Sequence, residues 1–519
     1  MATPQRTTDQ SQWALIWRQF RKRRLAVACA FVILCLISVS VFAPFLANDR
    51  PLYYRGSNRF EYREAVRTCR EILSRLAEEG TAKQTPKNRE DLLKSLALQG
   101  RLMEQALTPE LGGKMRAFTE EALVAATAAD GSTKLRELRK RLQSEFGGRE
   151  IPLASRSAWP ILASLGGVEI GFMAWNVLLI TAPLWLLAIR RLVPAEQVTL
   201  RHRVVGAVWV LAPLICGLAW WWVIPSRIDR TDYKAGVYAA DEQAPAALVV
   251  YEGVVWPPVP YGLDEDDISQ KEAKPAWFAA ADAKSSKPSS PWNAPHWLGT
   301  DNLGRDILCR MIWGGRVSLS VGIVAVSIYV TIGIIIGAIA GYFRGVCDLI
   351  ISRIIEVVIC FPAFFLILTI VAFVGPNVFN IMVVIGLTGW TGIARLIRGE
   401  FLRLVDQEFV LAGRALGYSP ARLIFKHVLP NAIAPVMVSA TFGVAGAILT
   451  ESSLSFLGMG ISVPTPSWGG MLTTGRDAIF RAPWLIWYPG LAIFVTISCY
   501  NLVGEALRDA SDPRLRGSR

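Results

Sequence analysis

Apolar residues in this chain are gathered into long uncharged runs rather than confined to one face of short helices. The runs cover residues 25–46, 170–189, 204–225, 317–343, 357–394, 432–450 and 482–504. Roughly 20 apolar residues cross a bilayer as a helix, so each run predicts at least one span. The fifth run is too long for one helix. Gly375-Pro376-Asn377 interrupts it, and these residue types favour a turn. The spacing predicts a hairpin there, 355–374 and 378–394, and eight spans in all.

The polar stretches between the runs carry orientation. Arg18, Arg21, Lys22, Arg23 and Arg24 precede the first span, and Lys and Arg of short segments stay on the cytoplasmic side. The N-terminus is therefore expected in the cytoplasm. Parity then places three basic segments inside. One carries Arg190, Arg191, Arg201 and Arg203 against Glu196; one is 395–430, with Arg395, Arg398, Arg403, Arg414, Arg422 and Lys426; the third is the tail, with Arg508, Arg514, Arg516 and Arg519. Residues 192–200 should thus be cytoplasmic, and 60–150 and 230–290 extracytoplasmic. The basic residues within 50–156 do not oppose this, because loops longer than about 60 residues largely escape the charge rule.

Within 50–156 the apolar period changes. Residues 62–76, 92–107 and 135–146 repeat near 3.6, with charges of both signs on the remaining face. They read as solvated helices of a small extracytoplasmic insertion without chemistry of its own. Residues 226–298 have no such period. Trp256-Pro-Pro-Val-Pro-Tyr-Gly, Asp264-Glu-Asp-Asp and Lys284-Ser-Ser-Lys-Pro-Ser-Ser-Pro read as an irregular Pro-rich strap.

Composition agrees with the pattern: 52% of the 519 residues are hydrophobic and only 19% charged. The net charge of +13 could suggest nucleic acid, but much of the excess flanks apolar runs, where it sets membrane orientation. Nucleic-acid binding is not expected. Of eight cysteines, Cys29, Cys35, Cys216, Cys360 and Cys499 lie inside apolar runs, and none forms a CxxC pair. The sequence leaves open whether Cys69 and Cys309 are oxidised. Three histidines, His202, His296 and His427, are thin material for a metal site, and none is expected. The first run is longer than a signal-peptide core and no A-x-A site follows it, so no cleavable signal is expected.

The segment 408–431, EFVLAGRALGYSPARLIFKHVLPN, reads as two short helices on the cytoplasmic face. Gly417 ends the first by accepting a left-handed conformation. Ser419 caps the second and Pro420 starts it. Two helices at a glycine bend make a rigid knob that fits a groove on a soluble partner.

This segment resembles the EAA loop of ABC importer permeases: Glu-Ala-Ala, three residues, Gly, nine residues, Ile, one residue, Leu-Pro. Leu411, Ala412 and Gly413 occupy the Glu-Ala-Ala positions, Gly417 is the glycine, and Leu429-Pro430 the ending. The Glu is Leu, the second Ala is Gly, and His427 stands where Ile is expected. These departures bear on a salt bridge from the Glu position, not on the bend. Further stretches resemble the dipeptide and oligopeptide C-type subunits. HWLGTDNLGRD at 296–306, with Arg310 and GRVSL at 315–319, looks like the lead-in to their permease core. LTESSLSFLG at 449–458 and PTPSWG at 464–469 look like the exit of their fifth helix, and RDASDPR at 508–514 like their tail. APFLANDRPL at 43–52 and VWPPVPY at 255–261 are similar to the branch taking up longer peptides and microcin C.

The resemblance implies an all-α polytopic membrane protein of the inner membrane, with both termini cytoplasmic. A six-helix permease core would carry an inserted transmembrane hairpin, eight spans in total, and a helical extracytoplasmic insertion. The chain then divides into a cytoplasmic segment 1–24, a first span 25–46, the insertion 50–156, the added hairpin 157–225, the strap 226–298, the core 299–508 with its coupling loop 400–430, and the tail 509–519. Implied partners are a second homologous permease, two ATPase subunits or domains, an extracytoplasmic solute-binding protein and membrane lipid. The residues expected to meet the ATPases are Leu411, Ala412, Gly413, Arg414, Gly417, Arg422, His427, Leu429 and Pro430. The lead-in motif comprises Gly299, Thr300, Asp301, Gly304, Arg305 and Asp306.

Other readings of these residues are plainer. His296, Asp301, Arg305 and Asp306 could form a catalytic cluster, but no paired nucleophile accompanies them. An outer interfacial helix with hydrogen-bonded polar residues is the expectation. Glu356 sits near the start of a span, three residues after Arg353, which favours a local ion pair. Glu451 could face a translocation path or sit at the interface. Trp220, Trp221 and Trp222 suit an interfacial belt. No Walker A sequence occurs, so the chain is expected to be no enzyme and to hold no cofactor, with ATP and Mg on partner subunits. The same architecture could import another solute, such as a nickel chelate or a peptide antibiotic. An export or lipid-handling assembly fits an importer-type loop less well, and the absence of HExxH, GxSxG or paired intramembrane Asp motifs disfavours a membrane enzyme.

Overall fold

The computed structural model describes residues 12–78, 86–128, 131–148, 151–193, 197–223, 229, 231–239, 247–279, 294–461 and 464–511. Glu196, the Lys284–Pro291 stretch of the strap, and Arg514, Arg516 and Arg519 lie outside the described residues. The chain divides into two compact units. One is Met1–Ala47 with Tyr261–Lys287 and Pro295–Arg519; the other is Asn48–Pro260 with Pro288–Ala294.

Among the described residues, six helices are long and apolar enough to cross a membrane, and counting each of two sharply bent helix pairs as one span gives eight. The first unit holds Arg24–Val41, Ile307–Phe343, Val378–Leu404, Pro420–Phe456 and Trp484–Ser511, and the bent pair Gly345–Ile359 and Ala363–Val374. That pair corrects the expectation of one helix over 355–374. The chain turns by 80° at the break, where Pro362 follows Phe361. Proline removes a donor and forces the preceding residue out of helical geometry. Gly375, at φ +98°, ends the second piece, as the Gly-Pro-Asn signal predicts.

Close approach by small residues packs this unit. Gly333, Gly337 and Gly341 recur every fourth residue along Ile307–Phe343 and face Val378–Leu404. A Cβ on Gly337 would sit 2.5 Å from the Ala394 carbonyl oxygen, and one on Gly341 2.5 Å from Phe401 Cβ. In lipid, where tails are as apolar as leucine, such stripes let backbones meet and dispersion hold them. Val321, Ala325, Ile381, Ile397, Phe401 and Ile448 fill the buried core around them.

The second unit opens with a helical bundle: Arg59–Glu78, Pro86–Ala106, Pro109–Thr127 and Gly131–Arg141, the last continued by a π-turn over Leu142–Phe146. The 3.6-residue period marks three of these four; Pro109–Thr127 is additional. Tyr62, Ala65, Val66, Cys69, Ile72, Leu73 and Leu76 form the apolar stripe of the first helix. They meet Met103, Met115, Phe118, Leu138, Leu142 and Phe146 in one buried cluster.

This unit also holds a four-stranded sheet, which corrects a purely helical reading of the insertion and an irregular reading of the strap. Strands β1 (Tyr53–Asn58), β2 (Arg156–Ala158), β3 (Val237–Tyr238) and β4 (Val249–Val255) lie in the order β2-β1-β4-β3. β1 and β4 are antiparallel, with Tyr53 opposite Val255. The Leu52 N–H donates to the Val255 carbonyl (2.8 Å) and the Asn48 N–H to the Val259 carbonyl (3.1 Å). The chain thus leaves and re-enters this unit at one place, the geometry that lets a domain be inserted into a host.

The unit's hairpin pairs Val198–Val223 with a helix expected to be continuous over 170–189. The latter is two pieces, Gly167–Ile180 and Ala182–Leu192, bent by 71°. Thr181 Oγ donates to the Val177 carbonyl (2.7 Å), and Pro183 withholds the next donor.

Candidate coupling and lead-in sites

The helix Val378–Leu404 turns at 405–407 into the knob helix Glu408–Ala415. Gly417 has φ +74°. The Gly417 N–H donates to the Arg414 carbonyl (2.9 Å) and the Tyr418 N–H to the Gly413 carbonyl (3.1 Å). This bond pair is a Schellman closure, which satisfies carbonyls left over at a helix end and calls for a left-handed residue. Ser419 Oγ accepts from the Arg422 N–H (3.4 Å) and Pro420 begins the next helix, which passes through a π-turn, Leu423–Val428, into Leu429–Phe456. The second arm of the knob therefore runs on into the membrane helix as one helical stretch, Pro420–Phe456.

Gly413 is buried, and a Cβ there would stand 2.7 Å from Leu423 Cδ2. Gly in place of Ala at this position leaves room for the Leu423 side chain between the two arms. Val410, Leu423 and Val428 root the knob in the core, while Phe409, Leu411, Leu416 and Phe425 remain exposed. The Arg422 guanidinium lies 4.1 Å over the Tyr418 ring, whose other neighbour is the stacked His427 ring at 5.5 Å. Arg414 lies over Tyr342 at 5.4 Å. Ala412 and Pro430 are exposed, and Leu429 is half-buried.

Two braces beside the knob join residues too distant in sequence for any pattern to reveal. Arg344 Nη2 donates to the Leu402 carbonyl (2.9 Å) and to Asp406 (2.6 Å); Arg344 holds the Asp406 carboxyl below its usual range. Arg398 grips both oxygens of Asp348, with Nη2 at 2.7 Å from Oδ2. Arg353 and Glu356 pair at 2.6 Å.

The lead-in motif is a loop rather than an interfacial helix. Gly299 and Gly304 have φ +81° and +78°, and a Cβ on Gly304 would overlap the Asp267 carbonyl at 1.7 Å. Left-handed residues at both places fold 294–306 back on itself. Asp301 Oδ1 accepts from the Leu303 and Arg305 N–H groups (2.9 and 3.0 Å), and Oδ2 accepts from Arg305 Nε (2.8 Å). Arg310 Nε stands 3.6 Å from the same oxygen. Asp306 caps Ile307–Phe343 through the Cys309 N–H (2.7 Å) and holds His296 Nδ1 (2.8 Å), whose ring stacks on Tyr261 at 4.3 Å. Thr300 Oγ donates to the Gln270 carbonyl and accepts from the Ala273 N–H. Burial pushes the Tyr261 hydroxyl up, and hydrogen bonds from Ser269 pull Asp267 down. Every carboxylate oxygen of Asp301 and Asp306 is spent on this loop, so the motif is a staple that fixes the start of a membrane helix.

Glu451 is fully buried. Ser455 Oγ donates to its Oε1 (2.8 Å), and Ser318 approaches Oε2 at 3.4 Å. Ser318 Oγ in turn accepts from the Trp468 N–H (3.1 Å). Trp220 Nε1 donates to the Leu165 carbonyl (3.1 Å), while Trp221 and Trp222 are exposed. Cys69 and Cys309 are buried free thiols; burial pushes the Cys69 thiol up to about 12.

Long apolar helices stitched by glycines, with a knob continuous with one of them, are the architecture of a polytopic helical membrane protein. Residues 333–517 match the family of binding-protein-dependent transport system inner membrane components, and residues 11–60 match the N-terminal transmembrane domain of oligopeptide transport permease C. The dipeptide transport system permease protein DppC of Alkalihalophilus pseudofirmus is 41% identical over 224 residues, 43% of this chain and 74% of that protein. The oligopeptide permease OppC of Haemophilus influenzae is 43% identical over 221 residues, 43% of this chain and 71% of its own. The glutathione permease GsiD of Escherichia coli is 38% identical over 222 residues, 43% and 73% respectively. The chain belongs to this family of inner-membrane permease components and is a permease subunit of an ABC importer. An inward-facing methionine ABC transporter, MetNI, is similar at a TM-score of 0.33 and 17% identity, over 39% of this chain and 96% of that one.

Proposed function

We propose that this subunit forms half of a translocation path for short peptides, and that its knob takes up the stroke of partner ATPases. The relatives' names, dipeptide, oligopeptide and glutathione permeases, support peptides as the solute class. The rest of the machine would be a second homologous permease, two ATPase subunits or domains carrying ATP and Mg, and an extracytoplasmic binding protein. Both termini and residues 192–200 would be cytoplasmic.

The observation that carries the coupling role is the knob's construction. It presents Phe409, Leu411, Leu416 and Phe425 outward and is continuous with the helix ending at Phe456. Exposed apolar groups on a structured mount suit a partner's groove, and a helix continuous with that mount can carry displacement into the membrane. A bistable set of helices biased from one end is the general form of such a switch.

Gly417→Leu tests this. A side chain at positive φ costs about 1–2 kcal/mol and widens the knob, while the spans are untouched. The purified complex is expected to assemble and to lose substrate-stimulated ATPase activity while keeping the basal rate. Wild-type stimulation in that variant would remove the coupling role from this bend.

A further inference from the structure

Residues 12–24 pack on the ends of two membrane helices. The short helix Gln12–Phe20 meets Ala26 of the first span and Ala506 and Ala510 of the last through Ile16 and Phe20. That contact fixes its depth. Trp484–Ser511 has 28 residues, about 42 Å of helix, whereas the hydrocarbon of a bilayer is about 30 Å thick. The excess falls at the end carrying Glu505, Arg508 and Asp509, since charged residues leave hydrocarbon. Ala506 and Ala510 therefore stand in the headgroup layer, and the short helix lies there with them.

The elbow between this helix and the first span presents charge and apolar surface side by side. Arg18, Arg21, Lys22 and Arg24 are exposed, and none is in an ion pair among the described residues. Arg23 is paired, with Asp509. Neither Gln12–Phe20 nor the first span contains an acidic residue; the acids of the adjoining turns are Glu505 and Asp509, beside the further cation Arg508. The ends of the chain outside the described residues do not reverse the sign, because they carry Arg6, Arg514, Arg516 and Arg519 against Asp9 and Asp512. Trp17 is exposed with its ring stacked on Phe20 at 5.7 Å, and Leu25 is exposed at the start of the span. That span also begins without a side-chain cap, which adds N–H groups that favour an anion.

The basic residues set orientation while the chain inserts; once it is inserted, unpaired cations at the edge of the hydrocarbon attract the anions that share that layer. An indole belongs at the same depth. A free anion would meet the cations alone. A phospholipid meets both surfaces, its phosphate at the cations and its acyl chain along Trp17 and Leu25. We propose that this elbow binds an anionic phospholipid. The site depends neither on which solute crosses nor on whether the knob couples to an ATPase.

The test uses the full chain, stripped of lipid in a neutral detergent and titrated with phosphatidylglycerol or with phosphatidylcholine of the same acyl chains. Retained lipid is counted by native mass spectrometry. Phosphatidylglycerol is expected to bind about tenfold or more tightly, because each of several basic residues favours an anionic headgroup. Arg18→Gln with Arg21→Gln and Lys22→Gln is expected to weaken it by about tenfold or more and to leave phosphatidylcholine unchanged. Asp509→Asn releases Arg23 and should strengthen phosphatidylglycerol by about fivefold, a gain that a damaged fold does not produce. Arg63→Gln with Arg101→Gln and Lys114→Gln removes as many exposed charges from the bundle and should change nothing. Equal binding of the two lipids, indifference to the elbow substitutions, an equal loss from the bundle substitutions, or no gain in Asp509→Asn overturns the proposal. Displacement of the lipid by inorganic phosphate at the same concentration also overturns it, since the site would then take a free anion.

Discussion

The permease unit and the inserted unit hold themselves together by different chemistries. In the first, contacts between long helices run through Gly333, Gly337 and Gly341, and large apolar side chains such as Phe365 and Phe373 point outward. In the bundle of the second, Leu73, Met103, Met115, Phe118 and Phe146 point inward and charged residues cover the outside. The difference follows from the solvent. Water drives large apolar groups together, whereas lipid gives no such drive and close backbone approach must supply the contact. The family matches fall on 11–60 and 333–517, so all of the bundle beyond its first two residues, and the hairpin, lie outside them. One chain thus carries a shared membrane machine and an added body whose bundle is built on the rules of soluble proteins.

The strongest way to break this comparison is to remove the added body. Because Tyr53 and Val255 are paired, joining residue 52 to residue 255 closes the gap without stretching the chain. The shortened permease is expected to insert, bind its ATPases and keep basal ATPase activity, with weakened capture from its binding protein. Failure to assemble with its permease partner in reconstituted membranes would make the insertion integral to the machine. Next in size is Phe118→Ala, which opens the bundle core beside Phe146 (ring centroids 5.7 Å apart) and should cost about 3–5 kcal/mol. Limited proteolysis should then cut within 59–146 while the membrane helices stay protected; protection of both would mean the bundle core is not what stabilises it.

Gly337→Leu asks the converse question of the permease unit. With 2.5 Å to a backbone oxygen, the added side chain must push the facing helices away from each other, at about 1–3 kcal/mol. The melting temperature of the detergent-solubilised chain should fall, and the proteolytic pattern of 59–146 should not change. An unchanged melting temperature would show that the glycine stripe is not a tight contact. The smallest effect is expected from Arg67→Ala. Its i,i+4 partner Glu71 is 3.1 Å away and both are exposed, so about 0.5 kcal/mol or less is at stake. A drop comparable to Phe118→Ala would show that surface charge, not burial, organises the bundle.

Local chemistry determined much of this from the sequence alone. Long uncharged runs marked the spans because a bilayer sets their length. Gly417, Ser419 and Pro420 marked the knob because each acts on its own backbone within a turn or two. The family motifs at 296–306 and 449–458 were legible as strings, though their work was not. Asp301 and Asp306 turn out to clasp a loop, and Glu451 to sit among serines contributed by Ile307–Phe343 and its own helix. The bend at Pro362 was hidden in an apolar run whose hydropathy does not change across it.

Tertiary structure decided what depends on distant residues meeting. β1 pairs with β4 from across the bundle and hairpin, and neither strand has a period long enough to announce itself. Asp348 finds Arg398, and Arg344 finds Asp406, only after the helices carrying them have packed. A cavity of about 540 Å³ in the second unit draws Tyr54, Glu61, Trp159 and Asp229 from four separate stretches, each of which alone reads as an ordinary strand, helix face or loop. Hydropathy and capping are properties of neighbours along the chain; pairing, bracing and cavities are properties of neighbours in space, which exist only once burial has brought the segments together.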